Sequence, residues 1–175
     1  MNIKNYLQKN LVAGLKKLPV SFPLKSIYLL PFYIVFSLSI GFYSEILKYN
    51  PLNSGIVIYL PFTLMVFPSI VEEILFRGLL IPIDIANKGR RQIVYYISIS
   101  TILFVLWHPL NAVINPVSAV FFLNPYFLVI VALLGVTCSV SYIYSKSLWV
   151  PIIIHWLTVL MWVLLLGGRN LIIDG

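Results

Sequence analysis

Residues 56–83 read IVIYLPFTLMVFPSIVEEILFRGLLIPI. A helix needs roughly 20 apolar residues to cross a bilayer core, and this stretch is long enough to do so. Yet it carries two adjacent carboxylates, Glu72 and Glu73, and then Arg77. Four further apolar stretches surround it, at 26–44, 92–113, 119–144 and 148–168. The connections between them are short: Glu45–Gly55 with Asn50-Pro51, Asn87–Arg91 with a glycine, Ile114–Ser118 with Asn115-Pro116, and Ser145–Ser147. This pattern predicts an all-α polytopic membrane bundle of about five transmembrane helices. It forms a single transmembrane domain over 26–168, followed by a C-terminal tail at 169–175.

Composition agrees. Of 175 residues, 61% are hydrophobic and only 10% charged, where a soluble domain has roughly a quarter charged. Mean hydropathy is +0.99. So few charges cannot cover a water-soluble surface, and a chain this apolar does not stay disordered. A net charge of +7 could suggest nucleic acid, but its placement points to the lipid bilayer instead. Lys4, Lys9, Lys16, Lys17 and Lys25 precede the first span, Lys88, Arg90 and Arg91 lie in one loop, and Lys146 in another. These nine fall on one side if the N-terminus is cytoplasmic, against Lys48 and Arg169 on the other. Positive loops face the cytoplasm, which sets that orientation.

Residues 1–25 form a basic segment without the continuous apolar core of a signal peptide. Ile3, Leu7, Leu11, Leu15 and Leu18 fall within about a third of a helical wheel. An amphipathic helix over 2–18 is therefore expected on the membrane surface, ended by Pro19 and Pro23. The single cysteine, Cys138, excludes a disulfide or a cysteine zinc site within one chain. Gly135 and Ser139, one turn apart, read as a close helix-packing face.

Candidates for chemistry are few. Glu45 lies in a loop, Asp84 near the end of the second stretch and Asp174 in the tail, which leaves Glu72 and Glu73 inside a span. His108 and His155 lie inside later spans. A charge at mid-helix costs on the order of 2.5–3.5 kcal/mol on insertion scales, so these residues must be paired, inward-facing or beside water. Glu73 and Arg77 are four apart and share a helix face, where they can neutralise each other. Glu72 points about 100° away and has no local counter-charge. A carboxyl so placed holds a proton more avidly than in water and suits a general base. Pro109 follows His108 and frees a carbonyl near Val105, predicting a bend there, with Phe104 one turn before His108. His155 is followed by Thr158 and Val159.

One carboxylate and two imidazoles suggest water activation, with Glu72, His108 and His155 as catalytic residues and no cofactor. The same Glu72, His108 and His155 set also suits a zinc ion with an open position for water. Structural glue within a bundle is the plain alternative for Glu72, Glu73 and Arg77. A non-catalytic membrane interaction or immunity protein is a second functional reading. A small proton-coupled transporter is a third, and the lack of repeat symmetry argues against it.

These residues resemble the CAAX-protease and bacteriocin-processing (CPBP, or ABI) family of glutamate-type intramembrane proteases. Glu72-Glu73-Ile-Leu-Phe-Arg77 matches its EExxxR motif and Phe104-Val-Leu-Trp-His108 its FxxxH motif. His155 in SLWVPIIIHWLTV matches its third motif, so the likeness covers roughly 56–168. It implies an endopeptidase acting on a peptide or protein substrate. The residue matching Glu72 would activate water with His108, His155 would stabilise the oxyanion, and Glu73, Arg77 and Phe104 would support the site. The family has also been described as metal-dependent, which keeps zinc as an alternative. One position departs: the third motif usually has Asn or a similar polar residue four places after its histidine, and here Val159 stands there. Thr158 could partly replace that donor. Reduced activity, a different substrate or an inactive member all follow from such a loss.

Overall fold

A computed structural model describes residues 3–19, 23–53, 55–114 and 119–168. Arg169, Asp174, the rest of the tail and residues 115–118 of the third connection lie outside the described residues. The chain is a helical membrane bundle, with no strand among the described residues.

Helix α1 runs through three continuous segments, Ile3–Leu7, the π-wound Gln8–Val12 and Ala13–Lys16. Helix α2 is Leu30–Tyr43, α3 is Leu60–Leu64, and α4 is Val71–Glu73 with its π-wound continuation Ile74–Gly78. Helix α5 is Arg90–Ile114, α6 is Ala119–Phe122, α7 is Pro125–Ser145 and α8 is Trp149–Leu165. Three helical segments are long and apolar enough to cross a membrane: Leu24–Tyr43, Arg90–Val113 and Pro125–Ser145. Helix α8 is apolar but shorter.

The second stretch is not the continuous span expected over 56–83. Phe67 leaves the helical region, at φ −133° and ψ 124°, between α3 and α4. Pro68 accounts for this, because its ring pushes the preceding residue into extended backbone and it donates no hydrogen bond. Ser69 Oγ donates to Leu64 O at 2.8 Å and caps a carbonyl at the break. The 119–144 stretch also divides. Asn124 Oδ1 accepts from the N–H groups of Tyr126 and Phe127, at 2.9 and 3.4 Å, and starts α7 with Pro125 in its first turn. By contrast α5 continues helical past Pro109 to Ile114.

Helix α7 is the centre of the bundle. Within its spanning window 61% is buried, against 22% for the two other long spans, and it packs against α2, α5 and α8. Small side chains make this possible: Gly135, Ser139, Ser141 and Ser145 are all buried. A Cβ on Gly135 would meet Thr101 Cγ2 at 3.0 Å and Phe104 Cδ1 at 3.2 Å. Cys138 is a buried free thiol whose Sγ donates to Pro151 O at 3.7 Å. The outer faces carry exposed apolar side chains such as Phe32, Val35, Ile102 and Leu106, as lipid contact requires.

One end of the bundle is closed by α1, which docks on the protein rather than lying free of it. Leu11 and Leu15 pack on a core of Ile81, Ile85, Tyr142, Ile143, Leu148 and Ile152. Tyr6 donates to Leu79 O at 3.0 Å, and buried Asn10 accepts from Ile83 N at 3.1 Å. Leu148 N donates to Gly14 O at 3.0 Å and Trp149 Nε1 to Leu15 O at 2.8 Å, while Ser147 Oγ donates to Lys17 O. Lys9 Nζ pairs with Asp84 at 3.0 Å, and that ammonium holds the Asp84 carboxyl below its ordinary range. Lys25 lies over the Tyr144 ring at 5.1 Å. At the other end, Lys48, Asn50 and Leu52 donate backbone hydrogen bonds to Leu166, Leu165 and Leu164. There Glu45 pairs with Lys48 at 3.2 Å in an exposed loop, away from the buried carboxylates.

Candidate active site

Glu72 and Glu73 sit together on α4, and the helix turns them to different partners, as their spacing implies. Glu73 and Arg77 are fully buried and joined by Arg77 Nη1 to Glu73 Oε1 at 2.9 Å. Arg77 Nη2 donates to Gly135 O at 3.0 Å, and its guanidinium lies 4.4 Å from the centre of the Phe104 ring. A buried cation thus has a carboxylate, a carbonyl and an aromatic face around it, the kind of compensation a desolvated charge requires.

His155 reaches the same carboxylate from α8. Its Nδ1 lies 2.9 Å from Glu73 Oε1, and its Nε2 lies 3.8 Å from Glu72 Oε2. A carboxylate oxygen that already takes Arg77 Nη1 acts as acceptor here, so His155 donates from Nδ1 and turns Nε2 towards Glu72. Glu72 sits six residues before the end of α4 at Gly78, and His155 six residues after the start of α8 at Trp149. Both helix ends meet α1, so the two side chains stand at matching depth. Lys146, in the left-handed region at φ 55°, ends α7, and α8 begins after the turn.

Glu72 Oε1 accepts from Trp107 Nε1 at 3.0 Å, while its Oε2 is buried with no hydrogen-bond partner among the described residues. His108 follows Trp107 on α5 and directs Nδ1 to Phe104 O at 2.9 Å. A carbonyl can only accept, so the Nε2 of neutral His108 carries a lone pair. The Phe104 ring stands edge-on to both imidazoles, with centres 5.1 Å from His108 and 5.6 Å from His155. Glu72, His108 and His155 are all nearly buried and line one cavity of about 870 Å³.

Thr158 and Val159 also line that cavity. Thr158 Oγ1 donates to Ile154 O at 2.9 Å and accepts from the Tyr33 hydroxyl at 3.2 Å. Its one proton is therefore committed to its own helix. Among the described residues, no three His, Cys, Asp or Glu side chains cluster so as to hold a metal ion. The Glu72, His108 and His155 set does not close around a zinc ion as these side chains stand.

Three partners of the site carry no motif of their own. Trp107 lies inside the quoted FxxxH run, and its indole, a donor that buried must find an acceptor, was the available signal. Tyr33 comes from a first span whose polar side chains are serine and tyrosine hydroxyls, with Tyr28 and Tyr43 beside it in sequence and no pattern that singles it out. The Gly135 carbonyl is invisible to side-chain patterns.

Among known proteins, the type II CAAX prenyl endopeptidase Rce1-like family matches residues 54–161, more than half of the chain. No curated protein and no solved structure matches it. The matched region begins ahead of α3 and runs through Met161, so it holds Glu72, Glu73, Arg77, His108 and His155 together. By that match, the chain belongs to the Rce1-like family of type II CAAX prenyl endopeptidases.

Proposed function

We propose that this protein is an intramembrane endopeptidase that hydrolyses a peptide bond of a membrane-associated peptide or protein without a metal ion. The observation that carries this reading is the unpartnered Glu72 Oε2, 3.8 Å from His155 Nε2, on the wall of a cavity that also holds His108. That separation is too long for a direct hydrogen bond and leaves room for a third group beside both. In the proposed reaction Glu72 takes a proton from water as the water oxygen bonds to the substrate carbonyl carbon. The His108 Nε2 lone pair accepts the second O–H of that water and orients it. The carbonyl π electrons move to oxygen, and His155, protonated at both nitrogens, donates from Nε2 to the oxyanion. Glu73 Oε1 holds the ring at Nδ1 so that Nε2 faces the cavity, and Arg77 Nη1 fixes the same carboxylate oxygen. The C–N bond then breaks, and the leaving amine takes the proton held by Glu72.

The bias of Lys and Arg supports a cytoplasmic position for the α1 end, so substrate would enter from that side or from the membrane. A quenched fluorogenic peptide ending in a farnesylated Cys-a-a-X sequence tests the reading. Glu72→Gln and His108→Ala are expected to lower cleavage by about 10²-fold or more while the protein still inserts and folds. Full activity in either variant overturns the mechanism.

Val159 favours a second reading, a non-catalytic interaction protein on the same scaffold, because it puts a valine where the family carries an oxyanion donor. A cellular phenotype retained in Glu72→Gln but lost in Glu73→Ala would select it.

A further inference from the structure

We infer that the Tyr33 phenol supplies the oxyanion donor that Val159 denies to the third motif, an inference resting on the endopeptidase reading above. Val159 is one helical turn beyond His155 and lines the cavity with an alkyl group. Thr158 cannot fill the gap, since its proton is held by Ile154 O at 2.9 Å. Tyr33 stands differently. It lies on α2, outside the matched residues 54–161, and reaches the same cavity wall with 6% of its surface exposed. Its hydroxyl donates to Thr158 Oγ1 at 3.2 Å, a neutral acceptor at a long distance. A hydrogen bond to an anion is shorter and roughly twice as strong as one between neutral groups, so a developing oxyanion would draw that O–H away from Thr158. A phenol is also a better donor to an anion than an aliphatic hydroxyl, being far more acidic. Ser37, one turn further along α2, lines the same cavity with a buried hydroxyl, so this wall is polar where Val159 is not. The phenol keeps its proton throughout: it donates a hydrogen bond as the carbonyl oxygen gains charge and releases it when the C–N bond breaks.

Tyr33→Phe, Val159→Asn and the double variant, assayed with the farnesylated Cys-a-a-X peptide, test this. Tyr33→Phe is expected to lower kcat by about 10²-fold with KM nearly unchanged, the pattern of a donor used in the transition state. Val159→Asn is expected to restore at least a tenth of wild-type kcat in the Tyr33→Phe background by returning an amide donor to the motif. A Tyr33→Phe kcat within about twofold of wild type, or a loss that Val159→Asn does not recover at all, overturns the inference. Should Tyr33→Phe fail to fold, Val159→Asn alone is expected to leave kcat within about twofold of wild type, since Tyr33 already supplies the donor, and an increase of about tenfold or more overturns the inference. Wild-type protein that leaves the peptide uncut, or a fully active Glu72→Gln, instead brings down the endopeptidase reading on which the inference rests.

Discussion

His155 and Glu73 meet at 2.9 Å across 82 positions of sequence, and the same Glu73 oxygen takes Arg77 Nη1 at 2.9 Å. One carboxylate thus fixes both the imidazole of α8 and the guanidinium of its own helix. Removing it strands a buried cation. Glu73→Ala is expected to destabilise the protein by about 3–5 kcal/mol, read as a fall in the thermal unfolding midpoint in detergent. Glu73→Gln keeps an accepting oxygen for His155 and should cost less. Equal losses in the two variants would remove the charge argument.

Trp107 is expected to act by holding Glu72 rather than by touching substrate. Trp107→Phe removes the 3.0 Å bond to Glu72 Oε1 and keeps an aromatic ring near Phe76. A hydrogen bond to a charged group is worth about 1.5–3 kcal/mol, so cleavage should fall by about 10- to 100-fold. The unfolding midpoint should move little, and kcat more than KM. A lost midpoint with unchanged kcat would make Trp107 a packing residue only.

Gly135 is expected to tolerate no side chain. An added Cβ meets Thr101 Cγ2 at 3.0 Å and Phe104 Cδ1 at 3.2 Å, while the Gly135 carbonyl receives Arg77 Nη2. Gly135→Ala should cost about 1–3 kcal/mol by overpacking, read in the same melting experiment. Because Phe104 contacts both imidazoles, activity should fall along with stability. A wild-type midpoint would show that α5 yields without strain.

Metal independence is expected of the proposed mechanism. Cleavage in a strong chelator should equal that in buffer, and purified protein should contain less than stoichiometric zinc. Activity lost in chelator and restored by added zinc would instead call for a metalloprotease account built on the same Glu72 and His155.

The α1 contacts predict a modest pH response. Lys9 lowers the proton affinity of Asp84, so the pair stabilises docking above the ordinary carboxylate range, and that contribution fades as pH falls through the depressed value. Both side chains are half exposed, and an exposed pair contributes no more than about 1 kcal/mol. Asn10→Ala should matter more, at about 1–3 kcal/mol, because it leaves the Ile83 N–H unpaired at a buried side chain. Protease cleavage within residues 3–16 measures both.

The helical class, the membrane setting and the Glu73–Arg77 pairing were legible because they depend on composition and on spacing within one helix. The i, i+4 rule reads directly from Glu73 and Arg77. Phe67-Pro68 was also readable, since a residue before proline favours extended backbone, but the apolar run around it concealed the break. Contacts between helices were not legible. No local pattern says that His155 would choose Glu73 rather than Glu72, or that Trp107 would take the remaining carboxylate. Helix ends were the other gap: residues 79–83 look apolar enough to extend the span expected over 56–83, but they lie in turns after α4.

Helix α1 leaves the ribosome before the surfaces it grips at Leu79–Asp84 and at Ser147–Trp149 have been made. It must wait while more than 130 residues are synthesised, since Leu15 and Trp149 are 134 positions apart. An amphipathic segment with lysines can spend that interval at the lipid headgroups. Docking of α1 therefore comes late in biogenesis, and this strap can lock only a bundle whose last hairpin has already been inserted.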